Sequence, residues 1–172
     1  MMTPVAAAPI VLGLDPGSQR TGYAVVAAAT GGKVRLIAAG ALSAPAGRDL
    51  PARLAAIYDQ LRQIIAEHAP AEMAVEGVFT HKNARTALVL GQARGVALLA
   101  GAQAGLAIYE YPPATVKKSL VGTGQASKEQ VRAMAQRLAG GGRLSLDASD
   151  ALALALTHLH SRRLGAALER LK

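Results

Sequence analysis

Four carboxylates stand where predicted elements of regular structure begin or end, and together they could bind a divalent metal ion. Asp15 ends one apolar segment, Glu76 ends a second, and Asp147 and Asp150 open a third segment rich in alanine and leucine. The chain has only eleven acidic residues, so this placement indicates a shared role. Carboxylate oxygens suit Mg²⁺ or Mn²⁺, and two such ions could activate a water molecule at a phosphodiester.

Each of these acids also has a simpler structural interpretation. Asp147 and Asp150 are three residues apart and share a face of a helix, where Asp147 could be the N-cap and Asp150 its capping-box partner. Asp15 precedes Pro-Gly, a common turn sequence, and could merely end a strand. Glu76 is the hardest to explain in this way, because burying an unpaired glutamate in an apolar strand costs free energy.

The composition indicates one folded domain without covalent cross-links. At 172 residues and 51% apolar content, the chain is long enough for a core and too apolar to be disordered. The absence of cysteine excludes a disulfide framework and a thiolate metal site. No signal peptide or membrane span is predicted. We therefore expect a single cytoplasmic domain over residues 1–172, with flexible tails at 1–9 and about 166–172.

The charge of the chain favours a polyanionic partner. The formal net charge is +8, and a basic protein gains affinity for nucleic acid by releasing counterions from the phosphates. Residues 112–143 contain six cations and one anion, which suggests a binding face, although a basic charge could also serve solubility alone. Only one Phe, four Tyr and no Trp are present, so a stacking platform for single strands is not expected.

Hydrophobic periodicity predicts three strands followed by alternating helices and strands. The predicted strands cover residues 10–15, 21–29, 33–42, 72–77 and 106–111, and the predicted helices cover residues 49–68, 83–104, 114–120, 127–139 and 147–164. This order indicates an α/β fold with a five-stranded mixed sheet and helices on both faces. If the first and fourth strands are parallel neighbours, Asp15 and Glu76 emerge at one edge of the sheet.

Seven motifs, in a fixed order, resemble those of the RuvC family of bacterial Holliday-junction resolvases. They are Gly13–Gly22, Ala74–Phe79, Asn83, Leu90–Ala97, Val116-Lys117, Gly122–Gly124 and Asp147–His158. The resemblance extends from about Ile10 to His160 and implies a ribonuclease H-like fold. It also implies a Mg²⁺-dependent homodimer that nicks two opposing strands of a four-way DNA junction in recombination and repair, together with branch-migration proteins as partners.

The resemblance also assigns roles to individual residues. It implies that Asp15, Glu76, Asp147 and Asp150 are catalytic acids that bind two Mg²⁺ ions, with Mn²⁺ able to substitute. Lys117 and Lys128 would support catalysis near the cleaved backbone; otherwise they belong to a solvated helix face. Phe79 would act as a wedge at the junction centre, with core packing as its alternative. The expected DNA contacts are Phe79, Lys82, Asn83, Arg85, Lys117, Lys118 and Lys128.

Two further features of the sequence have competing interpretations. Gly91 and Gly95 lie four apart on a predicted helix, where they could permit close approach of a second subunit or of the protein's own sheet. In the family resembled, this helix lies at the dimer interface. His158 lies about 16 Å along its helix from Asp147, from a rise of 1.5 Å per residue. It cannot share a metal with Asp147, so a structural hydrogen bond is expected.

Three other functions compete with a junction resolvase. An actin-like or sugar-kinase ATPase also begins with a strand, an Asp and a glycine-containing turn, but it needs two such domains. A junction-binding module without chemistry conflicts with four intact acids. A ribonuclease H-like nuclease acting on structured RNA is the third alternative. The Phe79 segment and the basic stretch from Lys117 to Lys128 favour branched DNA over RNA.

Overall fold

One mixed β-sheet forms the centre of the molecule. The computed structural model describes residues 9–77 and 83–169, and within them five strands pair in the order β3-β2-β1-β4-β5. They are β1 (Ile10–Asp15), β2 (Arg20–Ala28), β3 (Val34–Ser43), β4 (Glu72–Glu76) and β5 (Ala107–Tyr111). The first three strands are antiparallel, whereas β4 and β5 run parallel to β1. The predicted mixed sheet is therefore confirmed.

Helices cover both faces of this sheet. They are α1 (Leu50–His68), α2 (Ala84–Gln103), α3 (Pro113–Val121), α4 (Lys128–Leu138) and α5 (Leu146–Glu169). Side chains alternate between the two faces of a strand, so Leu12 and Leu14 pack in the core beneath α1 and α2, while Val11 packs in the core beneath α3, α4 and α5. No helix in the described part of the chain is long and apolar enough to cross a membrane.

Local capping explains where three of the helices begin. Asp49, Asn83 and Ser127 each lie one residue before a helix and accept hydrogen bonds from backbone N–H groups of its first turn. Ser127 and Gln130 form both arms of the predicted capping box. These caps satisfy N–H groups that have no partner within the helix, so the predicted helix starts were correct to about one residue.

The start of α5 differs from the structural alternative considered for its two acids. The backbone N–H of Ala148 donates to Ser145 Oγ at 3.2 Å, so Ser145 caps this helix. Asp147 already lies within the first turn. The expectation that Asp147 could be the N-cap, with Asp150 as its capping-box partner, is therefore wrong. Neither carboxylate is therefore used to cap this helix.

The end of α5 lies beyond the predicted helix boundary. The sequence predicts that the last helix ends at Leu164 and that a flexible tail begins at about residue 166. In the structure α5 continues to Glu169. The segment Gly165–Glu169 is mostly Ala, Leu and Glu, which are strong helix formers, so the helix extends past its buried portion. Residues 1–8 and 170–172 lie outside the described ranges.

Two glycines let α5 lie unusually close to the sheet. A Cβ atom added at Gly13 of β1 would lie 2.1 Å from the carbonyl oxygen of Ala151. A Cβ atom added at Gly22 of β2 would lie 2.0 Å from the carbonyl oxygen of Asp147. Since these contacts involve backbone atoms, any larger residue would push the helix outward. The two glycines thus fix the height of the first turns of α5 above the sheet.

Candidate active site

Asp15 and Glu76 emerge side by side at one edge of the sheet. Strands β1 and β4 are parallel, and Leu14 is aligned with Val75. Asp15 and Glu76 each follow that pair by one residue, so both carboxylates lie at the carboxyl ends of adjacent strands. This confirms the sequence-based expectation that they share an edge. Residues at such strand ends are where α/β proteins usually place their functional groups.

Helix α5 adds a third carboxylate to the same place. A small cleft of about 80 Å³ is lined by Asp15, Glu76 and Asp150, together with Lys117 and Lys128. Its remaining wall is largely apolar, from α3, α4 and α5. Three of the four predicted acids and both predicted lysines therefore converge on one concave site, through segments that are far apart in the sequence.

Asp147 lies beside this cleft and does not line it. Its backbone packs against Gly22 of β2, and its Oδ2 atom accepts a salt bridge from the Nε atom of Arg20 at 2.9 Å. Arg20 is 58% exposed, so this ion pair contributes little to stability. The ion pair instead positions Asp147, because it holds this side chain toward the beginning of β2.

Asp150 is held more firmly, by a residue that the sequence assigned to a binding face. The Nε and Nη2 atoms of Arg132 each donate to one carboxylate oxygen of Asp150, both at 2.7 Å. Paired hydrogen bonds of this kind combine charge attraction with fixed geometry. Arg132, one of the six cations in the stretch that suggested a binding face, turns inward from α4 and pairs with Asp150 of α5.

Burial and mutual repulsion raise the pKa values of the two strand-end acids. The pKa of Asp15 rises to about 7, chiefly because the carboxyl group is buried and also because Glu76, Asp150 and Asp147 lie near it, while Lys128 opposes the shift. The pKa of Glu76 is raised as well, first by burial. Crowded carboxylates of this kind are costly to ionise together unless a cation approaches.

The donor set fits a hard divalent cation, although the acids are not yet gathered around one point. Among residues 9–77 and 83–169, no three acidic or histidine side chains have the spacing of a coordination sphere. The two ion pairs account for this, since Arg132 takes both oxygens of Asp150 and Arg20 holds Asp147. Oxygen-only donors with unfavourable mutual repulsion are suited to Mg²⁺ or Mn²⁺.

A larger cleft adjoins the acids. It has a volume of about 450 Å³ and is lined by Glu76, Lys117 and Lys128 as well as by residues of α2 such as Leu90 and Arg94. Lys117 and Lys128 thus line both clefts, although Lys128 is also exposed to solvent. Two ammonium groups beside a carboxylate cluster give the combined cleft both signs of charge.

Arg94 is a site residue to which sequence reasoning gave no role. It donates to the backbone carbonyl oxygen of Glu76, and its Nη2 atom pairs with Glu110 Oε2 at 2.7 Å. It therefore ties α2 to the ends of β4 and β5. No local signal identifies this role, because an arginine in a helix resembles any solvated arginine until the fold brings its partners near.

The remaining predicted DNA contacts divide into two groups. Phe79 and Lys82 lie outside the described residues, as does His81. Asn83 and Arg85 are described at the beginning of α2, where the Asn83 side-chain oxygen accepts hydrogen bonds from the N–H groups of Arg85 and Thr86. Lys118 is exposed next to Lys117 and does not line either cleft.

His158 has the structural role expected for it. It is buried, its Nε2 atom lies 2.7 Å from Glu72 Oε2, and its Nδ1 atom lies 2.7 Å from the Tyr111 hydroxyl oxygen. Burial lowers the pKa of His158, so a neutral ring that donates to Glu72 and accepts from Tyr111 satisfies both contacts. Arg162 also pairs with Glu72 and balances its charge. This network joins α5 to β4 and β5.

Comparison with known families identifies close relatives. The family model described as "Crossover junction endodeoxyribonuclease RuvC" matches residues 11–158. A protein of that name from Solidesulfovibrio magneticus is 50% identical over 156 residues, which cover 90% of this chain and 92% of the relative. Another, from Halorhodospira halophila, is 49% identical over 156 residues and covers 88% of this chain and 90% of the relative.

The fold matches a solved structure over nearly the same extent. A structure described as T. thermophilus RuvC in complex with Holliday junction substrate superimposes with a TM-score of 0.83. The two chains are 33% identical, and the match covers 91% of this chain and 96% of the other. The ribonuclease H-like architecture expected from the motifs is therefore confirmed.

Proposed function

This chain belongs to the RuvC family of crossover junction endodeoxyribonucleases, and from that premise we propose that Asp15, Glu76, Asp147 and Asp150 are its catalytic acids. The protein is an endonuclease that resolves four-way DNA junctions by hydrolysing phosphodiester bonds. The observation that supports the site assignment most is the convergence of three of these carboxylates and two lysines on one cleft. Symmetric nicking of two opposing strands is part of the same proposal.

The acids provide the donor set for divalent metal ions. We infer that Mg²⁺ binds here, with Mn²⁺ able to substitute and two ions per site, because all the candidate ligands are hard oxygen donors. A bound ion would supply the Lewis acid that activates water and stabilises the leaving oxygen. Until then Arg132 and Arg20 neutralise Asp150 and Asp147, while Asp15 and Glu76 resist simultaneous ionisation.

Lys117 and Lys128 orient the strand against these acids. Both side chains line the two adjoining clefts, so a phosphodiester drawn to their ammonium groups would lie beside Asp15 and Glu76. The charge of Lys128 also offsets part of the repulsion between those two carboxylates. Lysine is well suited to this work, because its compact charge attracts a phosphate without demanding one fixed geometry.

A homodimer explains the exposed face of α2. Leu88 and Leu99 are 65% and 51% exposed, and a Cβ atom added at Gly91 or Gly95 would contact nothing in the described part of the chain within 4 Å. These four positions lie near one stripe of the helix, so packing on the protein's own sheet does not explain the glycines. Two sites related by a two-fold axis would match the two-fold symmetry of a junction. Branch-migration proteins are the further partners that family membership implies.

Cleavage of a synthetic four-way junction tests the proposal directly. A junction labelled on each strand in turn, and a linear duplex of the same sequence, would be incubated with Mg²⁺, with Mn²⁺ and with a chelator. We expect paired nicks at symmetric positions in the junction alone, and only with metal. Asp15→Asn and Glu76→Gln should abolish cleavage and still bind the junction, because binding depends mainly on cations.

Two results would contradict the assignment. Cleavage by either variant at the wild-type rate would remove the acids from the catalytic role. Tight junction binding by the wild-type protein without cleavage in either metal would indicate a binding module, and cleavage of structured RNA in preference to the junction would support the ribonuclease alternative.

A further inference from the structure

A third concave site is rich in arginine. Its volume is about 330 Å³, and the charged residues that line it are Arg20, Arg48 and Arg53. Its other lining residues, Gln19 and the segment 43–47, are small or uncharged. Among the described residues, no acidic or aromatic side chain lines it. A concavity with this composition suits an anion and offers no surface for stacking a base.

The topology places this cavity at the same edge of the sheet as the carboxylates. Strand β2 begins at Arg20 immediately after the turn that follows Asp15, and β3, which is antiparallel to β2, ends at Ser43. The backbone N–H of Ala44 donates to the carbonyl oxygen of Gln19 at 3.0 Å and joins the two segments. The cavity therefore lies on the β3 side of the site, whereas α2 and the larger cleft lie on the β4 side.

Arg20 connects the cavity to the catalytic acids. Its Nε atom pairs with Asp147 Oδ2 at 2.9 Å, and the same side chain lines the cavity. A strand that lies across the acids and continues toward β3 would therefore meet the cavity next. Because Asp147 occupies one part of the guanidinium, the remaining N–H groups of Arg20 are available to another acceptor.

The other two arginines have no carboxylate partner in the described part of the chain. Within the described ranges, neither Arg48 nor Arg53 has an acidic side chain within salt-bridge distance. The Nε atom of Arg53 is buried and has no hydrogen-bond partner there. A partly desolvated and unpaired guanidinium is costly. The nearby carboxylate of Asp49 is directed elsewhere, since its Oδ1 atom accepts from the N–H of Ala52.

We propose that this cavity binds a backbone phosphate of the DNA strand, on the β3 side of the phosphodiester that is cleaved. An incoming phosphate would compensate the charges of Arg48 and Arg53, and arginine is well suited to phosphate because its planar group can donate two hydrogen bonds to it. Contacts to phosphates carry no sequence information, so this site fixes the path of the strand past the acids and not the choice of sequence. The inference rests on the proposed function.

Binding measurements in a chelator separate this interaction from catalysis. The affinity of wild-type protein, Arg48→Gln, and Arg48→Gln with Arg53→Gln for a four-way junction would be measured over a range of salt concentrations. We expect weaker binding for both variants. The slope of the logarithm of the affinity against the logarithm of the salt concentration should fall by about one for each phosphate that is no longer neutralised. Arg35→Gln is the matched control, because Arg35 is exposed near the opposite end of β3.

Neutral phosphate substitutions locate the bound phosphate. Single methylphosphonates placed in turn along the cleaved strand would remove one charge at a time. Wild-type protein and Arg35→Gln should lose affinity when the phosphate in the cavity is replaced. The double variant should be insensitive to replacement of that phosphate, and at the other positions it should respond as the wild type does. This difference is a signature that general destabilisation would not produce.

The outcomes distinguish this inference from the proposed function. If wild-type protein neither binds nor cleaves the junction, the proposed function itself is wrong. If it does both and Arg48→Gln matches Arg35→Gln in affinity and salt dependence, with the same methylphosphonate profile as the wild type, only the cavity assignment is overturned. Because Arg48 is exposed, its substitution tests the idea even if replacing Arg53 impairs folding.

Discussion

Arg132 holds both carboxylate oxygens of Asp150 through two hydrogen bonds of 2.7 Å. The two residues are 18 positions apart and join α4 to α5 at the wall of the small cleft that Asp15, Glu76 and Asp150 line. The pair is largely sheltered, with side-chain exposures of 17% and 24%. A metal ion that uses Asp150 must therefore compete with this guanidinium, which links the stability of the metal-free protein to its affinity for metal.

Replacing Arg132 should separate the stability of the metal-free protein from its affinity for metal. Arg132→Gln should lower the free energy of unfolding of the metal-free protein by roughly 1–3 kcal/mol, less than for a fully buried pair. It should also increase the thermal stabilisation produced by Mg²⁺, because Asp150 is then free to coordinate. Thermal unfolding with and without Mg²⁺ measures both. Arg137→Gln, on the exposed side of α4, is the control, and equal metal shifts in both variants would contradict the competition.

The stability of the metal-free protein should depend on pH through Asp15. Its pKa is 3.8 when unperturbed and about 7 in the fold, so the folded state holds this proton more tightly. The free energy of unfolding should therefore fall as the pH rises from about 4 to 7, and its contribution should be constant above that range. Asp15→Asn should flatten the fall. Urea unfolding in a chelator at pH 5 and pH 8 gives the free energy of unfolding of both proteins. If that free energy changes equally between the two pH values in wild type and Asp15→Asn, Asp15 is not responsible.

Lys117 should matter for the rate of cleavage in a way that its neighbour does not. Lys117 lines both clefts, whereas Lys118 lines neither. Lys117→Gln should slow single-turnover junction cleavage, by an amount on the order of tenfold to a thousandfold if it stabilises charge at the phosphodiester. Lys118→Gln removes the same charge and should alter only salt-dependent binding. Equal cleavage rates in the two variants would place Lys117 outside the site.

Close packing of α5 on the sheet should be intolerant of one added methyl group. Gly13→Ala places a Cβ atom 2.1 Å from the carbonyl oxygen of Ala151, so α5 must move. We expect a loss of about 1–3 kcal/mol of stability, with impaired cleavage because Asp150 moves too. Gly165→Ala is the control, since its Cβ atom would meet no described atom within 4 Å and alanine is the better helix former. Unimpaired cleavage by Gly13→Ala would show that the site does not need this close packing of α5 on β1.

The exposed face of α2 should determine the oligomeric state. Leu99→Glu introduces a charge into the proposed interface, where burial without a partner is unfavourable, and should shift the protein from dimer to monomer. Leu164→Glu is matched to it, because Leu164 is a similarly exposed leucine on α5. Sedimentation equilibrium over a range of concentrations distinguishes them. If wild type and Leu99→Glu have the same mass, the interface lies elsewhere.

Much of the fold and of the site follows from local patterns in the sequence. Asp15 and Glu76 could be placed at strand ends because each closes a short apolar run, and Ser127 and Gln130 could be recognised as a capping box from their spacing. These signals involve residues within a few positions of one another. The family was identified from the order of the motifs, since no single motif is specific. The four acids therefore needed no coordinates to be proposed.

The tertiary structure decided which cations meet which acids. Arg132 reaches Asp150, Arg20 reaches Asp147, and Arg94 reaches Glu110, and none of these pairs leaves a periodic trace in the chain. In the sequence, nothing distinguishes Arg132 from the other cations of its basic stretch. Likewise, nothing indicates a role for Arg48, which precedes α1, or for Arg53, which lies in its first turn. Ion pairs and cavities depend on how distant segments pack. Local sequence therefore determined the elements and their chemistry, while the fold determined the counter-ions that control them.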